Sequence, residues 1–152
     1  MKMRQEEAAR GVDRRFGSSD GPPLSPQARV LLRRADALLE EAAGATDPAE
    51  RFLAAYIAAL RGAGALLAAV DPAPKRGRSR SAWVRIGSSA PDLAEWSAYF
   101  AGWSSVRASV EAGSVDRMTA DDADGFFVQV GRFLHAVDDR VHRSEIPVSI
   151  SA

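Results

Sequence analysis

The sequence predicts an all-α fold, an up-and-down bundle of four main helices with one short helix added. Three observations predict it. Apolar residues recur at i, i+3 and i+4 in successive long stretches. Capping signals stand before these stretches, so each has a defined start. No stretch alternates apolar and polar residues as a half-buried strand would, apart from the short tail "SEIPVSISA", which is too brief for more than an edge contact.

The elements follow in order. Residues 1–24 are polar, bear Gly and Ser, and lack an apolar stripe, so they read as a mobile N-terminal arm. "LSPQARVLLRRADALLEEAAG" opens the first helix, with Ser25 as N-cap, Pro26 at the first helical position and Gly44 as the glycine just past its end. Its apolar face is Ala28, Leu31, Leu32, Ala35, Leu38, Leu39 and Ala42. "TDPAERFLAAYIAALRGAGALLAAV" restarts with Asp47 as cap, Pro48 at the first position and Glu50 in the first turn. From Phe52 to Val70 its only charge is Arg61. That length approaches a membrane span, but a central arginine costs about 2.5–3.5 kcal/mol on insertion. The stretch reads instead as the central, largely buried helix of the bundle, with Gly62, Ala63, Gly64 and Ala65 small enough for a neighbour to approach closely.

A short helix around "SAWVRI" is expected to stop at Gly87. "SAPDLAEWSAYFAGWSSVRASVEAG" reads as one helix, opening on a Ser89-to-Asp92 capping pattern and closing at Gly113. Leu93, Trp96, Phe100, Trp103 and Val110 share one of its faces, as core packing more than as a stacking platform. The last helix is "TADDADGFFVQVGRFLHAVDDRVHR", with Thr119 and Asp122 as its cap pattern. Phe126, Phe127, Val130, Phe133, Leu134, Val137 and Val141 form its buried face. The bundle is expected over 25–143 and the tail over 144–152.

Composition narrows the chemistry. With 152 residues the chain is the size of one domain, and with no cysteine it has no disulfide, thiolate metal site or thiol nucleophile. The start of the chain has no apolar signal-peptide core, and the protein reads as cytoplasmic. Twenty basic and twenty acidic side chains cancel, so no global field draws it to a polyanion. The charge is unevenly placed, however: residues 72–90 carry +5 and residues 111–124 carry −4.

The basic stretch "PAPKRGRSRSAWVRI" holds Lys75, Arg76, Arg78, Arg80 and Arg85 together with Trp83. Those arginines suit phosphates and an indole can stack on a base, so these six are the candidate polyanion contacts. The plain alternative is a solvated connector between helices, with Trp83 packed under the bundle. Asp121, Asp122 and Asp124 sit where a helix N-terminus favours acids without any metal. No metal and no cofactor is expected. Arg61 and Arg107, charges on largely apolar helices, are expected to pair with a carboxylate or reach to the surface.

"SRSAWVRIGSSAPDLAEWSAYFAGWSSVRASVEAG", the basic loop before it, the Ala-rich helix and the closing "GFFVQVGRFLHAVD" together resemble a small actinobacterial branch of the HEPN superfamily, the higher eukaryotes and prokaryotes nucleotide-binding domain. The resemblance covers roughly residues 24–141. It implies a helical bundle that commonly dimerises and, in many members, a metal-independent ribonuclease. Those members carry an Arg and, after roughly four to six further residues, a His; the His acts on the ribose 2′-hydroxyl and the Arg holds the phosphate. This chain departs from that pattern. The Arg positions for His135 hold Val128, Gln129 and Val130, and those for His142 hold His135, Ala136 and Val137.

The expected function is therefore a non-catalytic binding or regulatory module, homodimeric, whose partner is a protein, a nucleotide or RNA. One alternative is a toxin-like ribonuclease with a rearranged site of Arg132, His135 and His142, which with Asp139 lie along one stripe of the last helix. The plain reading of that stripe is the wet face of an amphipathic helix. A further alternative is a structural subunit docking by helix–helix contacts.

Overall fold

A computed structural model describes residues 26–73, 81–114, 116 and 118–145. The N-terminal arm, the Ser25 cap, Lys75, Arg76, Arg78 and Arg80, and residues 146–152 of the tail lie outside the described residues. Six α-helices account for most of the rest: α1 (Pro26–Gly44), α2 (Pro48–Val70), α3 (Ala82–Ser89), α4 (Ala94–Gly102), α5 (Ser104–Glu111) and α6 (Ala120–Glu145), with a 3₁₀ turn at Pro91–Leu93. The fold is all-α, and no strand occurs among the described residues.

Chain direction alternates through the bundle. In α2 and α6, Phe52 meets Phe126 and Gly62 faces Leu134, so these two helices run the same way. The segment from the 3₁₀ turn through α5 runs back against them: Asp92 meets Arg140 near the end of α6, whereas Trp103 meets Phe52 near the start of α2. In α1, Leu31 lies by Gly64 and Arg51 reaches the Ala42 carbonyl, the order of an antiparallel hairpin. The topology is up-and-down, with α3 as the added short helix packed on α2 and α4.

Local chemistry accounts for the starts. The Asp47 carboxylate accepts from the Glu50 backbone N–H at 3.0 Å, and the Thr119 hydroxyl accepts from the Asp122 N–H at 3.0 Å. Ser81 caps α3 in the same way, accepting from Val84. At the end of α5, Gly113 takes φ 103°, and the Ser114 N–H reaches the Ser109 carbonyl while the Gly113 N–H reaches Val110, both at 3.0 Å. That is the Schellman arrangement, which needs a left-handed residue at this place.

Three expectations are corrected. Gly44 is the last residue of α1 and does not take the left-handed conformation. α3 does not stop at Gly87 but continues to Ser89, because the break comes only at Ala90, which Pro91 holds out of the helical region. Gly87 stays helical against α4, where a Cβ would make an ordinary 3.7 Å contact with the Ser97 hydroxyl. The helix expected from Ser89 to Gly113 is broken twice. Pro91 drives the preceding Ala90 to φ −137° and ψ 72°, so Ser89 closes α3 and no side chain caps the turn that follows. At Gly102 the helix tightens: Trp103 N–H reaches back to Phe100, and the Ser104 hydroxyl donates to the Ala101 carbonyl at 2.7 Å. A helical glycine costs about 1 kcal/mol relative to alanine, and a serine competing for its own helix carbonyls adds to the weakness.

The core is aromatic. Phe52, Tyr56, Trp83, Phe100, Phe126 and Phe133 are buried, with Trp96, Tyr99 and Trp103 half-buried around them. The stripe on "DLAEWSAYFAGW" is therefore packing, as its spacing predicted. Ala28, Ala35 and Ala42 are fully buried at seven-residue intervals, and Leu32, Leu38 and Leu39 pack beside them, so small methyls let α1 lie close to its neighbours. A Cβ on Gly62 would collide with Leu134 Cδ2, which is the close approach the small residues of α2 allow. α2 is long and apolar enough by length and composition to cross a membrane, yet half of that stretch is buried inside the bundle, as in a core helix. Its one central charge, Arg61, is exposed.

Candidate functional site

Two groups of candidate residues occupy different parts of the bundle. The first is the polar ridge of α6. Arg132, His135, Asp139 and His142 are all exposed, on the side away from buried Phe133, Val137 and Val141. The helix does not bring the candidate catalytic groups together. His135 Nε2 lies 4.0 Å from Asp139 Oδ2, one turn on, with its side chain 80% exposed. His142 Nδ1 instead meets the Asp138 carbonyl at 2.8 Å and its carboxylate at 3.4 Å. Seven residues of helix separate the imidazoles by about 10 Å along the axis, so they do not share one scissile bond within this chain.

The same ridge borders something the sequence did not single out. Leu32, Asp36 and Leu39 of α1 and Gly131, Leu134, His135 and Asp138 of α6 enclose a groove of about 250 Å³. Leu39 packs over Gly131, where a Cβ would stand 3.7 Å from Leu39 Cδ2. Partial burial in this groove raises the Asp36 pKa, and the Asp138 and Glu40 carboxylates raise it further. An acid whose pKa rises on folding favours the fold below its ordinary range and opposes it once ionised. Asp36→Asn is accordingly expected to stabilise the protein at neutral pH by a few tenths of a kcal/mol, kept small by solvent screening. The gain should vanish as pH falls through the Asp36 titration, which thermal melts of the two proteins at a series of pH values would show. Among the described residues no group of three or more His, Cys, Asp or Glu side chains stands in a geometry to hold a metal ion.

The second group surrounds the basic connector. Trp83, a candidate stacking residue, is buried: its ring stacks on Phe100 at 4.8 Å and its Nε1–H donates to the Tyr56 hydroxyl at 3.1 Å. It offers no face to a base, and the packing alternative is the one the fold adopts. Arg85 is half-buried and ion-paired with Asp71 at 3.4 Å. Asp71 is the residue just past α2 and Arg85 lies in the first turns of α3, so this pair fastens the two ends of the connector to each other. Arg107 pairs with Glu111 at 3.3 Å and lies over the Tyr56 ring, 4.9 Å from its centroid.

A family model of SAV_6107-like HEPN domains matches residues 42–138. The chain belongs to that family. No curated protein and no solved structure matches it. Within this HEPN domain the match begins at Ala42, where α1 is ending, so all but the last residues of α1, including the Asp36 side of the groove, lie outside it. The match is shorter at both ends than the expected 24–141, mostly at its start. It takes in the connector, Arg85 and His135 but stops before His142.

Proposed function

We propose that this HEPN domain is a non-catalytic, homodimeric binding module that grips single-stranded RNA through the 72–86 connector. The observation that carries the reading is the Asp71–Arg85 ion pair, which fixes both ends of the connector at one place. Lys75 and Arg76 lie within three residues of Ala73, and Arg78 and Arg80 within three residues of Ser81. Each is therefore within about 11 Å of a fixed end, whatever course the chain takes between them. Four cations without an acid, tethered so closely, supply a local positive field that the neutral chain lacks as a whole.

Salt dependence tests it. Affinity for a single-stranded RNA should fall linearly in log–log form with salt, with a slope of about −0.7 per neutralised phosphate. Arg78→Ala combined with Arg80→Ala should reduce the slope by about 1.4. Binding that ignores salt, or is absent, removes the proposal. The ribonuclease reading has one observation in its favour, the presence of His135 in the α1–α6 groove beside Asp36 and Asp138. RNA that stays intact with the protein in EDTA retires that reading; cleavage lost in His135→Ala supports it.

A further inference from the structure

α3 and α4 form an antiparallel pair on the outside of the bundle: Trp83 stacks on Phe100 at 4.8 Å and Gly87 faces Ser97. The start of α3 therefore lies beside the end of α4. On their outer side, Val84 and Gly87 of α3 and Ala98 and Ala101 of α4 border an apolar groove of about 250 Å³. Val84 is 59% exposed, more than any other large hydrophobic residue among those described. The polar groups at the floor are already used by the fold: the Ser97 hydroxyl donates to the Ala94 carbonyl at 2.8 Å, and the Trp83 N–H donates to Tyr56. The groove thus has no spare polar group to orient a small ligand, and an apolar side chain fits it better.

Charge selects the occupant. α3 and α4 carry two charged residues: Arg85, which turns to Asp71 just past α2, and Glu95, exposed in the first turn of α4. Neither lines the groove. In an isologous dimer, groups near the two-fold axis meet their own copies, so a charge there repels itself and an uncharged patch is self-complementary. Away from the groove the two ends differ in sign. Glu95 stands at one end, while Arg80 directly precedes Ser81 at the other, where α3 begins. A two-fold axis through the groove reverses one helix pair on the other and brings each Glu95 toward the basic end of the second copy. One carboxylate against four connector cations leaves most of the positive field to RNA. Resting on the homodimer reading above, we propose that the α3–α4 face is the dimer interface, with Val84 of each copy packed into the groove of the other.

Sedimentation equilibrium on the full chain tests it. Val84→Glu and, separately, Ala98→Glu bury like charges against each other and should weaken dimerisation on the order of 100-fold. Val128→Glu, which puts the same charge on α6 at a valine 48% exposed, should leave the dimer unchanged. All three side chains are exposed in the monomer, and far-UV circular dichroism confirms that each variant is folded. A dimer that survives both Val84→Glu and Ala98→Glu, or that Val128→Glu dissolves equally, overturns the α3–α4 interface and leaves the homodimer reading standing. Parent protein that is monomeric at every concentration removes both. Val84→Glu protein that stays dimeric but loses RNA affinity assigns the face to the strand and likewise overturns the interface.

Discussion

Replacing Trp83 by alanine is expected to lower the unfolding free energy by about 3–5 kcal/mol, the usual range for deleting a buried indole. Trp83 is only 7% exposed and touches three helices' worth of rings: Phe100 stacked at 4.8 Å, with Phe133 and Tyr56 edge-on at 6.0 and 6.3 Å. Its N–H is the donor to the Tyr56 hydroxyl, which itself donates to the Phe100 carbonyl at 3.4 Å. Removing the indole therefore opens a cavity and strips a buried hydroxyl of one partner. Trp83→Phe separates the two effects: it keeps much of the ring contact and loses the hydrogen bond, at about 1 kcal/mol. Urea denaturation of the two variants checks both figures. Folded, stable Trp83→Ala protein with selectively weakened RNA binding would return this residue to the list of base-stacking candidates.

The contrast between Trp83 and its basic neighbours explains what the sequence made legible. Periodicity reports burial, and burial dominates the energy, so the buried faces of α2 and α6 and the core role of the α4 aromatic stripe could be read directly. Breaks were harder. Ser89 followed three residues later by Asp92 has the form of a cap, yet Pro91 imposes an extended Ala90 between them and the capping geometry is lost. Gly87 has the form of a stop, yet it stays helical inside α3 and the break comes only at Ala90. Both errors arise where a local rule competes with a steric demand.

The candidate sites were legible only as single residues. Arg85 stood out as one cation among five, but its partner Asp71 lies fourteen positions earlier, across the connector. Asp36 gave no signal, because an acid on the exposed side of an amphipathic helix is ordinary; only the antiparallel docking of α1 on α6 sets it beside Asp138 and His135. Conversely, the Arg132, His135 and His142 stripe was correctly placed on one face, and that same face keeps the groups strung out along α6. Helical spacing fixes direction, whereas convergence depends on the helix that packs opposite.

Arg51 shows the same limit and leads to the second large effect. Nothing in "PAERFLAAY" marks this arginine, yet its Nε donates to the Ala42 carbonyl at 3.2 Å, one Nη to the Ala45 carbonyl at 2.6 Å and the other to Asp124. The last carbonyls of α1 have no partners within their own helix, so a guanidinium from the first turn of α2 completes them. Asp124 lies in the first turns of α6, where a carboxylate is already favoured by the helix dipole. One side chain thus joins the end of α1, the turn after it and the start of α6. Arg51→Ala is expected to cost about 2–3 kcal/mol, since charge-assisted hydrogen bonds are worth about 1.5–3 kcal/mol each and this group is partly exposed. Arg51→Lys should recover only part of that, because an ammonium cannot reproduce the planar fork. Asp124→Asn should cost under about 1 kcal/mol, its carboxylate being 57% exposed. Denaturation midpoints at low and high salt check the ordering. The Arg51→Ala deficit should persist at high salt because carbonyl acceptors carry most of it, whereas a deficit that salt erases, equal in Asp124→Asn, would make the ion pair the dominant contact and sink the capping account.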